Sequence, residues 1–215
     1  DALADAAPAV DAVTQASRQT GYRVQTKHVV ARTRTGVTLG LYRPGTHQVA
    51  DVSRCPLHDP LIVRALPVLR DVLTRTRTPI HGDTQRGVRY ALVRASIHQR
   101  RLLVTLVSSR AALDEAAAIA RGLRAAMPLA GLLLNENATT GNVIVGTHTR
   151  RIWGASELCD RYGDVDLAAS PVAFVQANTR MAARVYRAIA SAAALRGSER
   201  VVDLYCGVGG IALTL

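Results

Sequence analysis

The C-terminal stretch Arg200-Val-Val-Asp-Leu-Tyr-Cys-Gly-Val-Gly-Gly-Ile-Ala-Leu-Thr-Leu215 constrains the fold more than any other part of the chain. Val201, Val202 and Leu204 form an apolar run interrupted only by Asp203, and the run breaks at Gly207, Gly209 and Gly210. Entered from the turn-like Arg196-Gly-Ser-Glu199, it predicts a buried parallel strand. The glycines predict a tight turn whose backbone a ligand can approach closely. Ile211 to Leu215 predicts the start of a helix. Strand, glycine-rich turn and helix together are the opening unit of a nucleotide-cofactor fold. Gly207-Val-Gly-Gly210 lacks the full dinucleotide fingerprint, however, and a plain packing turn explains such glycines equally well.

The preceding residues predict an α+β arrangement. Asp1 to Gln19 is alanine-rich and suits a helix tail or a linker. Val24–Val30 and Val37–Tyr42 alternate as two strands around Arg34-Thr-Gly36, and His47–Val52 reads as a third, short one. Leu61, Ile62, Ala65, Leu66, Leu69, Val72 and Leu73 recur at helical spacing, giving a helix from about Pro60 to Thr76 that Pro67 should kink or break. Tyr90–Arg94 and Leu102–Val107 form a hairpin around His98-Gln-Arg100. Ala111–Met127 predicts a second helix, and Leu132–Asn135 with Asn142–Val145 a further pair of strands. Arg151 to Ala169 carries little signal beyond Trp153, a core candidate. Asn178 should cap a third helix in which Met181, Val185 and Ile189 share a face. The expected divisions are 1–20 as a helical or linker segment, 21–169 as a central α+β domain, and 170–215 as the start of a second, α/β domain.

Charge points to the partner. The chain carries 27 Lys+Arg, nearly all arginine, and a net charge of +11. Arginine binds phosphate bidentately and stacks on bases, so a polyanion is the natural ligand. No apolar run approaches a membrane span, and nothing at the N-terminus resembles a signal or transit peptide. Cys55, Cys159 and Cys206 are three and widely separated, which gives no disulfide framework and suits a reducing cytoplasm. The chain lacks an initiator methionine and stops in an unfinished helix, which suggests a piece of a longer protein.

Four segments carry a family resemblance, in order: Gly21-Tyr-Arg23; Leu39-Gly-Leu-Tyr-Arg43 with His47-Gln-Val-Ala-Asp-Val-Ser-Arg-Cys-Pro-Leu57; Ser170-Pro-Val-Ala-Phe-Val-Gln-Ala-Asn178; and Asp203-Leu-Tyr-Cys-Gly-Val-Gly-Gly210. Together they resemble the RNA uracil-C5 (5-methyluridine) methyltransferases. Arg86-Gly-Val-Arg-Tyr90 and Leu133-Leu-Asn135 look like the branch that acts on 23S ribosomal RNA. The resemblance implies an α+β central domain followed by the start of a class I, Rossmann-like methyltransferase domain. It implies S-adenosyl-L-methionine as cofactor, contacted by Gln176 and Tyr205 over the backbone of Gly207, Gly209 and Gly210. It also implies that Cys55 is one ligand of a [4Fe-4S] cluster in the full-length protein, RNA as partner, no membrane, and a monomer. Otherwise Cys55 is simply a buried thiol, and His58 a surface residue.

Uracil C5 is too weak a nucleophile to take a methyl group unaided. In the family a cysteine thiolate adds to C6, C5 attacks the methyl sulfonium, and a carboxylate then removes the C5 proton. The base must first leave its stack. Cys206 lies in the cofactor turn, where the family carries a cysteine without that role. The nucleophile and base fall outside this chain, so the expected catalytic set here is empty. Transfer RNA as substrate and a non-catalytic RNA-binding module are the alternatives. A nicotinamide oxidoreductase would need the longer glycine spacing.

Overall fold

The computed structural model describes residues 12–82, 86–139 and 141–215. The first strands form as the alternation predicts: β1 (Gln25–Thr33) and β2 (Gly36–Tyr42) are an antiparallel pair, with the short β3 (Val49–Asp51) beyond β2. Helix α1 (Pro60–Arg75) opens where Asp59 accepts a hydrogen bond from the Leu61 amide at 2.8 Å and Pro60 supplies a preset φ. The helix runs on through Pro67 without a break, contrary to expectation. Leu66 and Leu69, both fully buried, flank the proline and hold that turn against the sheet.

Strands β4 (Val88–Ser96) and β5 (Arg101–Ser108) make the expected hairpin. Helix α2 (Ala116–Ala126) then crosses to β6 (Leu129–Glu136), which pairs with β5 in parallel. The helix starts later than predicted, because residues 111–115 form a turn instead. Strand β7 (His148–Gly154) completes a seven-stranded sheet of order β3-β2-β1-β4-β5-β6-β7. Both helices pack on one face. Val30, Leu39, Ala91, Val93, Val104 and Leu132 meet Ile62, Leu66, Leu69, Ile119 and Leu123 there in one continuous core. Trp153 is half-buried at the edge of that core, with the Arg124 guanidinium 4.2 Å from its ring centroid.

The predicted strand at Asn142–Val145 is a loop. Its backbone is held by side chains: Asn137 Nδ2 donates to the carbonyls of Val143 and Ile144, and Asn135 Nδ2 donates to those of Gly146 and His148. Asn135 Oδ1 also accepts from the Gly146 amide at 2.8 Å. A fully buried amide that satisfies this many groups is expensive to remove. Asn135→Ala should destabilise the protein by about 2 kcal/mol, read as a lower thermal unfolding midpoint.

The other face of the sheet is partly covered by a hairpin the sequence did not reveal and by the third helix it did. Strands β8 (Leu158–Tyr162) and β9 (Val165–Ala169) form a separate hairpin, and Leu158 packs on Leu103 and Leu133. Helix α3 (Thr179–Ala193) follows, capped by Asn178 Oδ1, which accepts from the Met181 amide at 3.1 Å. Its buried face is Thr179, Ala182 and Ala183, not the predicted Met181, Val185 and Ile189; Val185 is half exposed. Residues 12–20 form no helix, and residues 1–11 lie outside the described residues. The strand predicted at Val201–Leu204 is absent, and the helix start predicted after Ile211 is a set of hydrogen-bonded turns in which the Leu213 and Leu215 amides donate to the Gly209 and Ile211 carbonyls. A parallel strand requires a ladder on its flank, and no described strand pairs with this segment. Val202 and Leu204 are therefore exposed. Among the described residues no helix is long and apolar enough to cross a membrane.

Candidate functional site

A strap, residues 170–178, runs from β9 to α3 across the open face of the sheet, beginning in a turn where the Ala173 amide donates to the Ser170 carbonyl at 3.2 Å. It is fastened at three points. Arg94 Nη2 on β4 donates to the Ala173 carbonyl at 2.8 Å, Gln25 Nε2 on β1 donates to the Val175 carbonyl at 2.9 Å, and the Val24 amide donates to the Ala177 carbonyl at 2.9 Å. Beside the strap lies a cleft of about 470 Å³. Buried Leu92, Leu103 and Thr105 line it, together with exposed Leu41 and Phe174. Arg23, Lys27 and Arg94 supply its charge, and no Asp or Glu is among its lining residues.

Arg94 is the unusual member. It is only 8% exposed, its Nη2 also donates to Gln25 Oε1, and its Nη1 has no hydrogen-bond partner. No carboxylate pairs with it among the described residues, and burial pushes its pKa down from the ordinary value. Next to it, Tyr162 is held protonated: burial first, then the neighbouring Asp160, raise its pKa well above the usual phenol value. A fixed, uncompensated cation beside an apolar cleft suits a ligand with an apolar face and an anionic group.

The residues expected to contact a methyl donor lie on the strap and on the glycine turn, and the two segments meet through Val208 rather than through those residues themselves. Val208 of the glycine turn packs into a cluster with Tyr162, Val175, Ala182 and Tyr186. Tyr162 donates to the Gln176 carbonyl at 3.5 Å, and its ring centroid lies 6.4 Å from that of Tyr186. A Cβ placed on Gly210 would lie 2.5 Å from the Tyr186 hydroxyl, so any larger residue here requires the Tyr186 ring to move. Gly207 and Gly209 have φ of +58° and +80°, which the absence of a side chain allows. Gln176 and Tyr205 are exposed, Tyr205 fully and with a positive φ of its own. Asp203 has a buried Oδ2 with no partner, an acceptor at the mouth of the turn. Glycines that leave the backbone bare, an orphaned acceptor and two exposed polar side chains fit an adenosyl ligand.

The metal expectation fares differently. Cys55 is half-buried on the loop between β3 and α1, where its amide donates to the Val52 carbonyl at 3.1 Å. Among the described residues, no group of three or more His, Cys, Asp and Glu side chains is placed to hold a metal ion. Four thiolates are needed for a cluster, so this donor set does not make up the site by itself. His58 is not at the surface, as expected, but 7% exposed, with its ring edge-on to His28 at 5.5 Å between centroids. Cys206 is exposed and unpaired.

Comparisons with known proteins bear on the fold. No protein-family model matches the chain. It is 33% identical over 200 residues to an uncharacterized RNA methyltransferase of Geobacter sulfurreducens, a match that spans 92% of this chain and 40% of the relative. It is 30% identical over 197 residues to an uncharacterized RNA methyltransferase of Bacillus cereus, spanning 90% and 43%. The chain thus spans about two fifths of the length of these relatives. Among solved structures, the tRNA (uracil-54, C5)-methyltransferase of Pyrococcus abyssi in complex with S-adenosyl-L-homocysteine matches with a TM-score of 0.72 at 19% identity, over 91% of this chain and 46% of that one. That likeness shows the fold: an α+β domain leading into a Rossmann-like methyltransferase fold.

Proposed function

We propose that this protein is an S-adenosyl-L-methionine-dependent methyltransferase acting on C5 of uridine in RNA. The observation that carries it is the docking of the Gly207–Gly210 turn, through Val208 and Tyr186, onto the cluster that anchors Gln176, beside a basic cleft without carboxylates. The names of the relatives and of the structural neighbour support the same reading. Bound S-adenosylmethionine would supply an electrophilic methyl group. Gln176 and Tyr205 would contact it, and the Gly207, Gly209 and Gly210 backbone would lie beneath it. The cleft would receive a nucleotide, its base against Phe174 and its phosphate drawn by Arg23 and Lys27. No residue of this chain is assigned as nucleophile or general base. Cys55 would contribute one thiolate to a [4Fe-4S] cluster, and no step runs through it.

The substrate proposed from the resemblance is 23S ribosomal RNA; the structural neighbour favours transfer RNA as the second reading. Incubation of the full-length protein with each RNA and labelled methyl donor distinguishes them, read as 5-methyluridine in the digest. Formation in neither RNA refutes the proposal. A second expected outcome concerns the turn alone. Gly210→Ala should weaken S-adenosylhomocysteine binding about tenfold by calorimetry, because the new methyl group displaces Tyr186.

A further inference from the structure

The cleft beside the strap does not end at Lys27 and Leu41. Both residues also line a second, larger cleft of about 830 Å³, which continues along the open face of the sheet between β1, β2 and β4. Tyr42, His47, Arg89, Tyr90 and Asn142 line this continuation. Tyr42 and His47 meet edge to face, with ring centroids 5.7 Å apart, and Tyr42 is 45% exposed. The Arg89 guanidinium lies 5.4 Å from the Tyr90 ring centroid. Its Nη1 donates to the carbonyls of Asn137 at 3.1 Å and Thr139 at 2.6 Å. Carbonyl partners fix the guanidinium in place and leave its charge whole.

Among the described residues that line the two clefts there is no Asp or Glu. The groove beside α1, by contrast, is lined by Asp51 and Asp71 as well as by Arg70 and Arg75. Exposed rings at Tyr42 and His47, the half-buried ring of Tyr90, and two cations without carboxylate partners, Arg89 fixed and Lys27 exposed, are the chemistry of a single-strand track. Bases stack on the rings whatever their identity, and phosphates pair with the cations. A base-paired duplex keeps its π-faces inside the stack and cannot use the rings.

We propose that the two clefts form one trough that carries an unpaired segment of RNA, with bases against Tyr42, His47 and Tyr90 and phosphates on Lys27 and Arg89. The proposal rests on RNA being the substrate; the surface and the single-stranded requirement go beyond it.

The test is fluorescence anisotropy with a short unstructured RNA and with a duplex of the same length, across a range of salt. Tyr42→Ala and Arg89→Ala should each weaken single-strand binding about tenfold. Arg89→Ala should also lower the slope of log affinity against log salt by about 0.7. Tyr42→Phe should bind as the parent does, which separates loss of the ring from misfolding. Arg64→Ala on α1 and Arg121→Ala on α2 remove the same charge from the helix-covered side, and should change affinity by no more than about twofold. Parent-like binding by Tyr42→Ala and Arg89→Ala overturns the proposal, as do equal losses from the helix-side variants or a duplex held as tightly as the single strand. RNA binding that depends on the trough without any 5-methyluridine formed by the full-length protein would sink the enzymatic reading alone. Methylation by the trough variants at the parental KM would sink the trough alone.

Discussion

Leu69→Ala is expected to lower the unfolding free energy by about 3 kcal/mol, seen as a smaller denaturant midpoint at unchanged slope. Leu69 is fully buried on the inner face of α1, where the helix lies on the sheet and α2 closes the side. Sheet and helices are held by their own hydrogen bonds, so the space left by the lost methyl groups cannot collapse. The comparison is Leu61→Ala, at a half-buried position on the same helix, which should cost less than about 1 kcal/mol. Equal losses at the two sites would mean that α1 is not packed as described.

Acidification should produce the second large effect. His28 is 1% exposed on β1, facing His58, and the Nδ1 atoms of both rings have no hydrogen-bond partner. Burial first, then the charge on His58, lower the pKa of His28 from 6.5 to about 4; Asp51 pulls it slightly back up. Burial and then Arg23 lower the pKa of His58 as well. The folded state therefore binds these protons less readily than the unfolded chain. Stability from His28 is whole above pH 6.5 and is lost as pH falls from there towards 4. The gap corresponds to about 3 kcal/mol. Denaturation at pH 7.5 and 4.5 reads it, with His28→Gln as reference because carboxylates elsewhere also titrate. The fall should be clearly smaller in His28→Gln. Identical falls would show that His28 is not held neutral by its surroundings.

Much of this architecture was legible in the residues, and the misses have physical causes. Helix α1 announced itself because its buried positions are large and regularly spaced. The β1–β2 pair did so through alternation, and β4–β5 through near-continuous apolar runs that are buried on both faces. Strand β7 was hidden because it is a largely exposed edge strand carrying Arg150 and Arg151. The β8–β9 hairpin places Asp160 inward, where its Oδ1 accepts from the Ser96 hydroxyl and the His98 amide, so the alternation reads as polar. The usable signal was Gly163-Asp164, a two-residue turn between short alternating runs, with Gly163 at φ +71°. The face of α3 was misjudged because its buried residues are a threonine and two alanines, which contribute little to an apolar stripe. The glycine turn was recognised for its chemistry, and its neighbours Tyr162 and Tyr186 were not. Those contacts join residues far apart in the chain, which spacing along a sequence does not encode.

The three fastenings of the strap have a mechanical consequence. Two end on β1 or the residue just before it and one on β4, the middle of the sheet, so the connection has almost no slack. On the proposed reading, RNA at Lys27 would lie on β1, the strand whose Gln25 fastens the strap one residue before Gln176. The two proposed seats would then share one stiff connection with no moving lid between them, as the two ends of a joist share its load.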